Sequence, residues 1–161
     1  MSHTDATVGE LPIERFPEAA ALVGAQPLFS RYGTTATGLE QAWRAGVAAE
    51  ERVLGAVEEG RLLGVAWLAP RGAFARSPYL RLLAVAPDAA GRGIGTQLME
   101  ACERWAFARA DDLFLLVNDD NVAAIGFYAR RGFRAIGHVH GYVLPDLHET
   151  IMRKRRPSST D

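Results

Sequence analysis

The apolar positions of this chain change period as it runs. Over residues 16–23 they recur at helical spacing, with Pro12 ahead and Gly24 behind. Residues 39–50 repeat that period, and Thr37 is the expected N-cap of this second helix. Between them, Leu28-Phe29-Ser30-Arg31-Tyr32-Gly33 has no period and reads as an aromatic loop. The first fifty residues are therefore expected to be helical. Residues 52–57 and 62–68 are apolar runs around Glu58-Glu59-Gly60, which predicts a β-hairpin. Residues 70–77 read as a loop, and residues 79–85 as a strand stopped by Pro87. After a glycine turn, residues 94–108 carry Ile94, Leu98, Met99, Cys102 and Trp105 on one helical face. Residues 113–117 form a continuously apolar, buried type of strand. Asn121 is placed to cap a helix that runs to Arg131 and closes at Gly132. Two last strands, 133–143 and 148–153, flank Leu144-Pro145-Asp146. Helices, then antiparallel strands, then β-α-β-α-β-β predict a mixed α/β sheet with helices on its faces.

Composition narrows the function. A length of 161 residues fits one domain, and no linker or repeat divides it. A net charge of −1 argues against a dedicated nucleic-acid binder. The basic cluster Arg153-Lys154-Arg155-Arg156 reads as the solvated end of the last strand, with 154–161 a flexible tail. The single cysteine, Cys102, excludes an intrachain disulfide and lies in an apolar helical pattern, as a buried structural thiol does. No run is long and apolar enough to span a bilayer, and the N-terminus lacks a leader pattern, so a cytoplasmic location is expected. No His/Cys spacing suggests a metal, and no serine sits in a nucleophile-elbow context.

The strongest local signal is Gly91-Arg92-Gly93-Ile94-Gly95-Thr96 between a strand and a helix. Alternate glycines let the backbone approach a ligand with its N–H groups outward, and the helix adds its positive end. A phosphate or pyrophosphate is the natural ligand. A P-loop needs Gly-Lys-Ser/Thr, but Gly95 is followed by Thr96-Gln97. A dinucleotide fold needs a third glycine where Thr96 stands, and an acid at the end of the next strand. Asp111 and Asp112 precede that strand instead.

The stretch from Leu82 to Thr96 resembles the central motif of the GNAT (GCN5-related N-acetyltransferase) family, Gln/Arg-x-x-Gly-x-Gly/Ala, through Gly93 and Gly95. Ala90 departs from the usual Gln or Arg, and Arg92 is placed to supply the missing charge. Asn121-Val122-Ala123-Ala124-Ile125-Gly126-Phe127-Tyr128, closed by Gly132-Phe133, resembles the family's second block, and the likeness covers about residues 52–153. It implies one GNAT-like domain over 1–161, with a mixed, mostly antiparallel sheet and a splayed central strand pair. It also implies acetyl-CoA as cofactor, its phosphates on Gly91, Arg92, Gly93, Gly95 and Thr96. The pantetheine arm would run along Leu83, Ala84 and Val85, and Asn121 and Tyr128 would touch the cofactor.

The implied reaction moves an acetyl group to an amine of a small molecule or peptide. A thioester carbonyl must be polarised, the amine must lose a proton, and the thiolate must leave. By resemblance, an amide near Leu83 faces the thioester oxygen and Tyr128 protonates the sulfur as general acid. The strand over residues 79–85 has no glutamate, so the base stays open among Glu58, Glu59, Asp119, Asp120, His138, His140 and Glu149. An inactive acyl-CoA-binding sensor or interaction module is the alternative, and a homodimer is a further expected partner.

Overall fold

The computed structural model describes residues 5–159. Its strands are β1 (Thr7–Glu10), β2 (Arg52–Glu58), β3 (Arg61–Ala73), β4 (Ser77–Val85), β5 (Asp112–Asn118), β6 (Arg134–His140) and β7 (His148–Arg155). Its helices are α1 (Phe16–Gly24), α2 (Pro27–Arg31), α3 (Ala36–Ala48), α4 (Ile94–Phe107) and α5 (Val122–Arg130). The strands hydrogen-bond in the order β1-β2-β3-β4-β5-β7-β6, a mostly antiparallel α/β sheet.

Several expectations change. The first fifty residues are not all helical, because residues 7–10 pair antiparallel with β2. The expected loop at 28–33 opens as helix α2, with Pro27 pre-set for the first helical turn. The N-cap of α3 is Thr35, not Thr37: the Thr35 backbone is extended and its hydroxyl accepts the Gly38 N–H at 3.1 Å. Residues 70–73, read as loop, continue β3. Pro70 is tolerated there because the β2 ladder reaches only to Leu68, paired with Arg52.

The described chain gathers into two compact units. The first comprises residues up to Ala69 together with 81–104. The β2–β3 hairpin turns at Glu59 and Gly60, both with positive φ (48° and 81°), as a two-residue turn matched to strand twist requires. Trp43 of α3 is fully buried, with Phe16 edge-on at 5.6 Å and Trp67 at 6.2 Å. Glu51 accepts the Trp67 indole N–H at 2.6 Å and an Arg81 N–H at 3.2 Å, while the Arg81 guanidinium lies 4.3 Å above the Trp67 ring. Helix α4 approaches β3 at Gly64, where a Cβ would stand 2.8 Å from Leu98 Cδ1 and 3.0 Å from both the Ala84 carbonyl and Ile94 Cγ2. Only a residue without a side chain lets the helix lie that close. Cys102 is buried in the same helix, as expected.

The second unit comprises residues 70–80 and 105 onward. Strands β5 and β7 pair along their length, from Asp112 with Arg155 to Asn118 with Glu149. β6 pairs with β7 through an irregularity near Ala135 and Gly137. β4 joins β5 in parallel at Tyr79 with Phe114 and Leu80 with Leu115. The basic cluster is neutralised at home: Arg153 Nε meets Asp112 at 2.8 Å, Arg156 pairs with Asp111, and the Arg156 N–H donates to the Asp111 carbonyl at 2.7 Å. Residues 154 and 155, expected in the tail, are the last residues of β7 instead.

Gly64→Val puts a branched side chain into the α4 contact, its Cβ only 3.0 Å from the Ala84 backbone carbonyl oxygen. Overpacking of this kind costs about 1–3 kcal/mol, a fall in Tm of roughly 2–10 °C for a chain of this size. Thermal unfolding beside Gly9→Ala, where nothing lies within 4 Å, checks it. Equal Tm values would remove the close approach as a constraint.

Candidate active site

The glycine turn is anchored at both ends and bare in the middle. Before it, the Ala86 N–H donates to the Leu63 carbonyl at 2.8 Å, and Ala89 is fully buried. After it, Ile94 is buried at the start of α4. Between these anchors Gly91 and Gly93 have φ of 78° and 83°, values that L side chains rarely adopt. A Cβ built on either would meet nothing within 4 Å. Glycine is needed here for backbone conformation, and the space a side chain would fill is open. The Gln97 N–H donates to the Gly93 carbonyl at 3.0 Å. The N–H groups of Ile94, Gly95 and Thr96 come before any intrahelical acceptor. Outward amides, open space and a helix N-terminus together fit a phosphate.

Arg92 is not idle. Its guanidinium donates to both oxygens of Glu58 at 2.7 Å. The Arg92 hydrogen bond holds the Glu58 carboxyl below its ordinary range, and Glu58 in turn raises Arg92. Glu58, weighed as a base, is thus a poor proton acceptor. The pair is present above the ordinary glutamate range and is lost as pH falls through the lowered value. Beside it, Arg61 donates to Asp88 at 2.5 and 2.7 Å. On β4, Leu83 and Val85 are half-buried while Leu82 and Ala84 face the core. The Val85 carbonyl already accepts from Gln26 Nε2 at 3.0 Å, leaving one lone-pair direction for another donor.

In the second unit, Asn121 caps α5 as expected, its side-chain oxygen accepting the Ala124 N–H at 3.2 Å. The far end closes through Gly132, φ 92°. The Gly132 N–H donates to the Ala129 carbonyl at 3.0 Å and the Phe133 N–H to the Tyr128 carbonyl at 3.1 Å, the paired bonds of a Schellman motif. Its hydrophobic contact is between Phe133 and Tyr128, ring centroids 5.7 Å apart, and Phe127 lies 5.3 Å from Tyr128 on the other side. Tyr128 is buried and held by its own helix terminus.

A model of the acetyltransferase (GNAT) family matches residues 19–133. The chain belongs to the GNAT family. It is 39% identical over 77 residues to a mycothiol acetyltransferase of Clavibacter michiganensis subsp. michiganensis, a match covering 47% of this chain and 24% of that protein. The chain thus spans about a quarter of that relative's length. Its fold is that of an aminoglycoside 6′-N-acetyltransferase complexed with coenzyme A (TM-score 0.76, 17% identity, 94% of this chain and 99% of the other). It is also that of the ribosomal-protein-S18-alanine N-acetyltransferase of Escherichia coli (TM-score 0.74, 19% identity, 97% and 98%). GNAT proteins as a family are acyl-CoA-dependent N-acetyltransferases. The comparisons lend nothing to the inactive sensor. No helix among the described residues is long and apolar enough to cross a membrane.

The residues weighed as the GNAT base part company. Glu59 sits in the hairpin turn, and Glu149 is buried on β7 opposite Asn118 and Val139. Asp119 and His138 come together through Thr150, a residue the sequence did not single out. Gln26 and Glu51 were missed as well, because both act through contacts distant in sequence. No described cluster of His, Cys, Asp or Glu could hold a metal ion.

Gly132→Ala forces a Cβ into φ 92°, where the nearest atom, Lys154 Cε at the end of a flexible side chain, is an ordinary 3.5 Å away. The cost is therefore backbone strain, about 1–2 kcal/mol. Chemical denaturation should show that loss with an unchanged m-value, while Gly132→Asn, better tolerated in this conformation, should lose less. Equal stability of all three would unseat the terminus as the holder of Tyr128.

Proposed function

We propose that this chain transfers the acetyl group of acetyl-CoA to a primary amine of a small molecule or peptide, and that Tyr128 is its general acid. The supporting observation is the glycine turn, with positive φ and open space at both Gly91 and Gly93. When bound, acetyl-CoA supplies the activated acyl group. The amides of Gly91, Gly93, Gly95 and Thr96 bind its pyrophosphate, with Arg92 sharing its guanidinium between Glu58 and phosphate. The backbone of Leu83, Ala84 and Val85 binds the pantetheine arm. The Leu83 amide polarises the thioester carbonyl, and the Tyr128 hydroxyl gives its proton to the departing sulfur. Asn121 adds a cofactor contact to its cap. One acetyltransferase domain over the whole chain, a cytoplasmic location and a homodimer belong to the same proposal.

The acceptor is sought with a panel built on what the similar proteins' names state: an alanine-terminated peptide, an aminoglycoside and a deacetylated mycothiol. Thiol release above the acetyl-CoA-only rate marks the acceptor class. No release with any amine, by a chain that still binds acetyl-CoA, would return the protein to the sensor reading.

Binding is tested by calorimetry with acetyl-CoA. Gly93→Ala should weaken it at least tenfold, whereas Gly33→Ala, at φ 71° with nothing within 4 Å, carries the same strain elsewhere and should bind as the parent does. Arg92→Ala should weaken binding several-fold and flatten its salt dependence. Glu58→Gln should tighten it, because the guanidinium no longer answers to a carboxylate. Normal binding by Gly93→Ala would show that the cradle lies elsewhere.

Tyr128→Phe keeps the ring contacts with Phe127 and Phe133 and removes only the hydroxyl. A proton donor acts as charge builds on sulfur, so kcat should fall while the acetyl-CoA Kd holds. The loss is on the order of 10²-fold, softened because a thiolate with pKa near ~8.5 leaves readily. Full rate in Tyr128→Phe, where chemistry limits turnover, would leave solvent as the proton source.

A further inference from the structure

Gln26 stands between α1 and α2, at the N-cap position of α2, yet its side chain does not cap that helix. Its backbone is already engaged: the N–H donates to the Val23 carbonyl at 3.0 Å, and the carbonyl accepts the Phe29 and Ser30 N–H groups at 3.1 and 3.2 Å. The half-buried side chain turns instead to the last residue of β4. Nε2 donates to the Val85 carbonyl at 3.0 Å and to the Leu22 carbonyl at 3.4 Å. Two carbonyls can be met only by the NH2 end of a carboxamide, so its orientation is fixed, with Oε1 turned away from both. Both N–H bonds of that amide are used, whereas no donor among the described residues is bonded to Oε1. The peptide between Val85 and Ala86 shows which edge of the strand is involved. It is trans, so its C=O and N–H point opposite ways. The N–H goes to Leu63 of β3 at 2.8 Å, and the Val85 carbonyl therefore points away from β3. Gln26 thus reaches the edge of β4 that β3 does not cover, at the residue of that strand nearest the glycine turn in sequence. Gln26, Val85 and the turn all belong to the first compact unit.

We infer that Gln26 is a further cofactor-binding residue, its Oε1 accepting an amide N–H of the pantetheine arm while Nε2 stays on Val85. The inference rests on the reading above that the arm runs along β4. That arm carries secondary amides on an otherwise aliphatic chain, so its path must supply hydrogen-bond acceptors as well as donors. The Val85 carbonyl gives one lone-pair direction to Nε2, and the carboxamide offers Oε1 in exchange. Two carbonyls already set the plane of this side chain, so it loses little further freedom when a ligand arrives. The same geometry accounts for the residue type. Asn, Asp, Ser or Thr at this position would serve the helix end, and none has the length of glutamine. A glutamate would have the length but would face the Val85 and Leu22 carbonyls with acceptors only. Gln26 makes or breaks no bond in this scheme; it holds the arm in place.

The test is calorimetry on the whole chain with two ligands. One is acetyl-CoA; the other is 3′-phosphoadenosine 5′-diphosphate, which keeps the pyrophosphate and lacks the arm. Gln26→Met has the length of glutamine without its donor or acceptor. It should weaken acetyl-CoA about three- to tenfold, the range of one net hydrogen bond, and leave the arm-free ligand within twofold of the parent. Gly93→Ala, a change in the turn itself, should weaken both. A glutamine that only ties α1 to β4 would lower Tm and move the two affinities together or not at all, and either pattern overturns the inference. A second readout needs no variant. In ¹⁵N–¹H NMR of the parent, the Gln26 side-chain NH2 signals should shift with acetyl-CoA and stay in place with the arm-free ligand. Signals that ignore acetyl-CoA, or that move equally with both ligands, would also overturn it. A parent that binds acetyl-CoA no more tightly than the arm-free ligand would overturn the path of the arm along β4, and Gln26 with it. A parent that binds neither would overturn the cofactor reading itself.

Discussion

The approach of α4 to β3 at Gly64 sets the terms for the glycine turn. Ile94 and Leu98, one helical turn apart, both press on a strand position with no side chain. The start of the helix is thereby fixed against the sheet. The strand end is fixed too, since Ala86 hydrogen-bonds Leu63, the residue next to Gly64. The chain from Ala86 to Ile94 is held by buried contacts on both sides, while Gly91 and Gly93 between them stay exposed. Anchored ends with a bare middle are what a backbone anion site needs. As the proposed phosphate site, such a turn would need little ordering on binding.

Charge around the turn is arranged differently. Arg92 answers to Glu58 and Arg61 to Asp88, so two cations next to the turn each carry a carboxylate. A phosphate gains little from a guanidinium already engaged, unless it shares or displaces the acid. On the proposed reading, backbone donors of the turn give most of the attraction and Arg92 tunes it. Ala90 fits this picture, because a side-chain contact at that position is less needed where the amides are clamped.

The legible parts of this chain were those whose cause is local. Asn121 and Gly132 announced both ends of α5, and Glu59-Gly60 announced a hairpin turn. Each works through hydrogen bonds within a few residues. The misreadings had distant causes. Thr7–Glu10 is too short and polar to declare a strand, and becomes one only by pairing with β2. Residues 70–73 read as loop because the sequence does not show that β3 runs on beyond the end of its pairing with β2 at Arg52. Thr37 and Thr35 are equally good caps by composition, and only the extended backbone at Thr35 decides between them. The turn at Gly91 and Gly93 was readable from motif spacing, and both take the positive φ that glycine allows. Gln26 on Val85 and Thr150 on Asp119 join residues 59 and 31 positions apart, which no local pattern encodes.

Helix α5 has nine residues, fewer than a helix needs to persist alone in water. Its direction must come from its ends and from what its apolar face touches. Asn121 satisfies an N-terminal amide, and Gly132 and Phe133 satisfy carbonyls at the other end, one of them that of Tyr128. Tyr128 thus lies in the turn that the Schellman closure rigidifies, with aromatic rings on two sides. The short helix leaves little slack along which its tyrosine could drift. Under the proposed general-acid role, Tyr128 gains more from that restriction than from added helix length, because a misplacement of an ångström is enough to lose most of the effect.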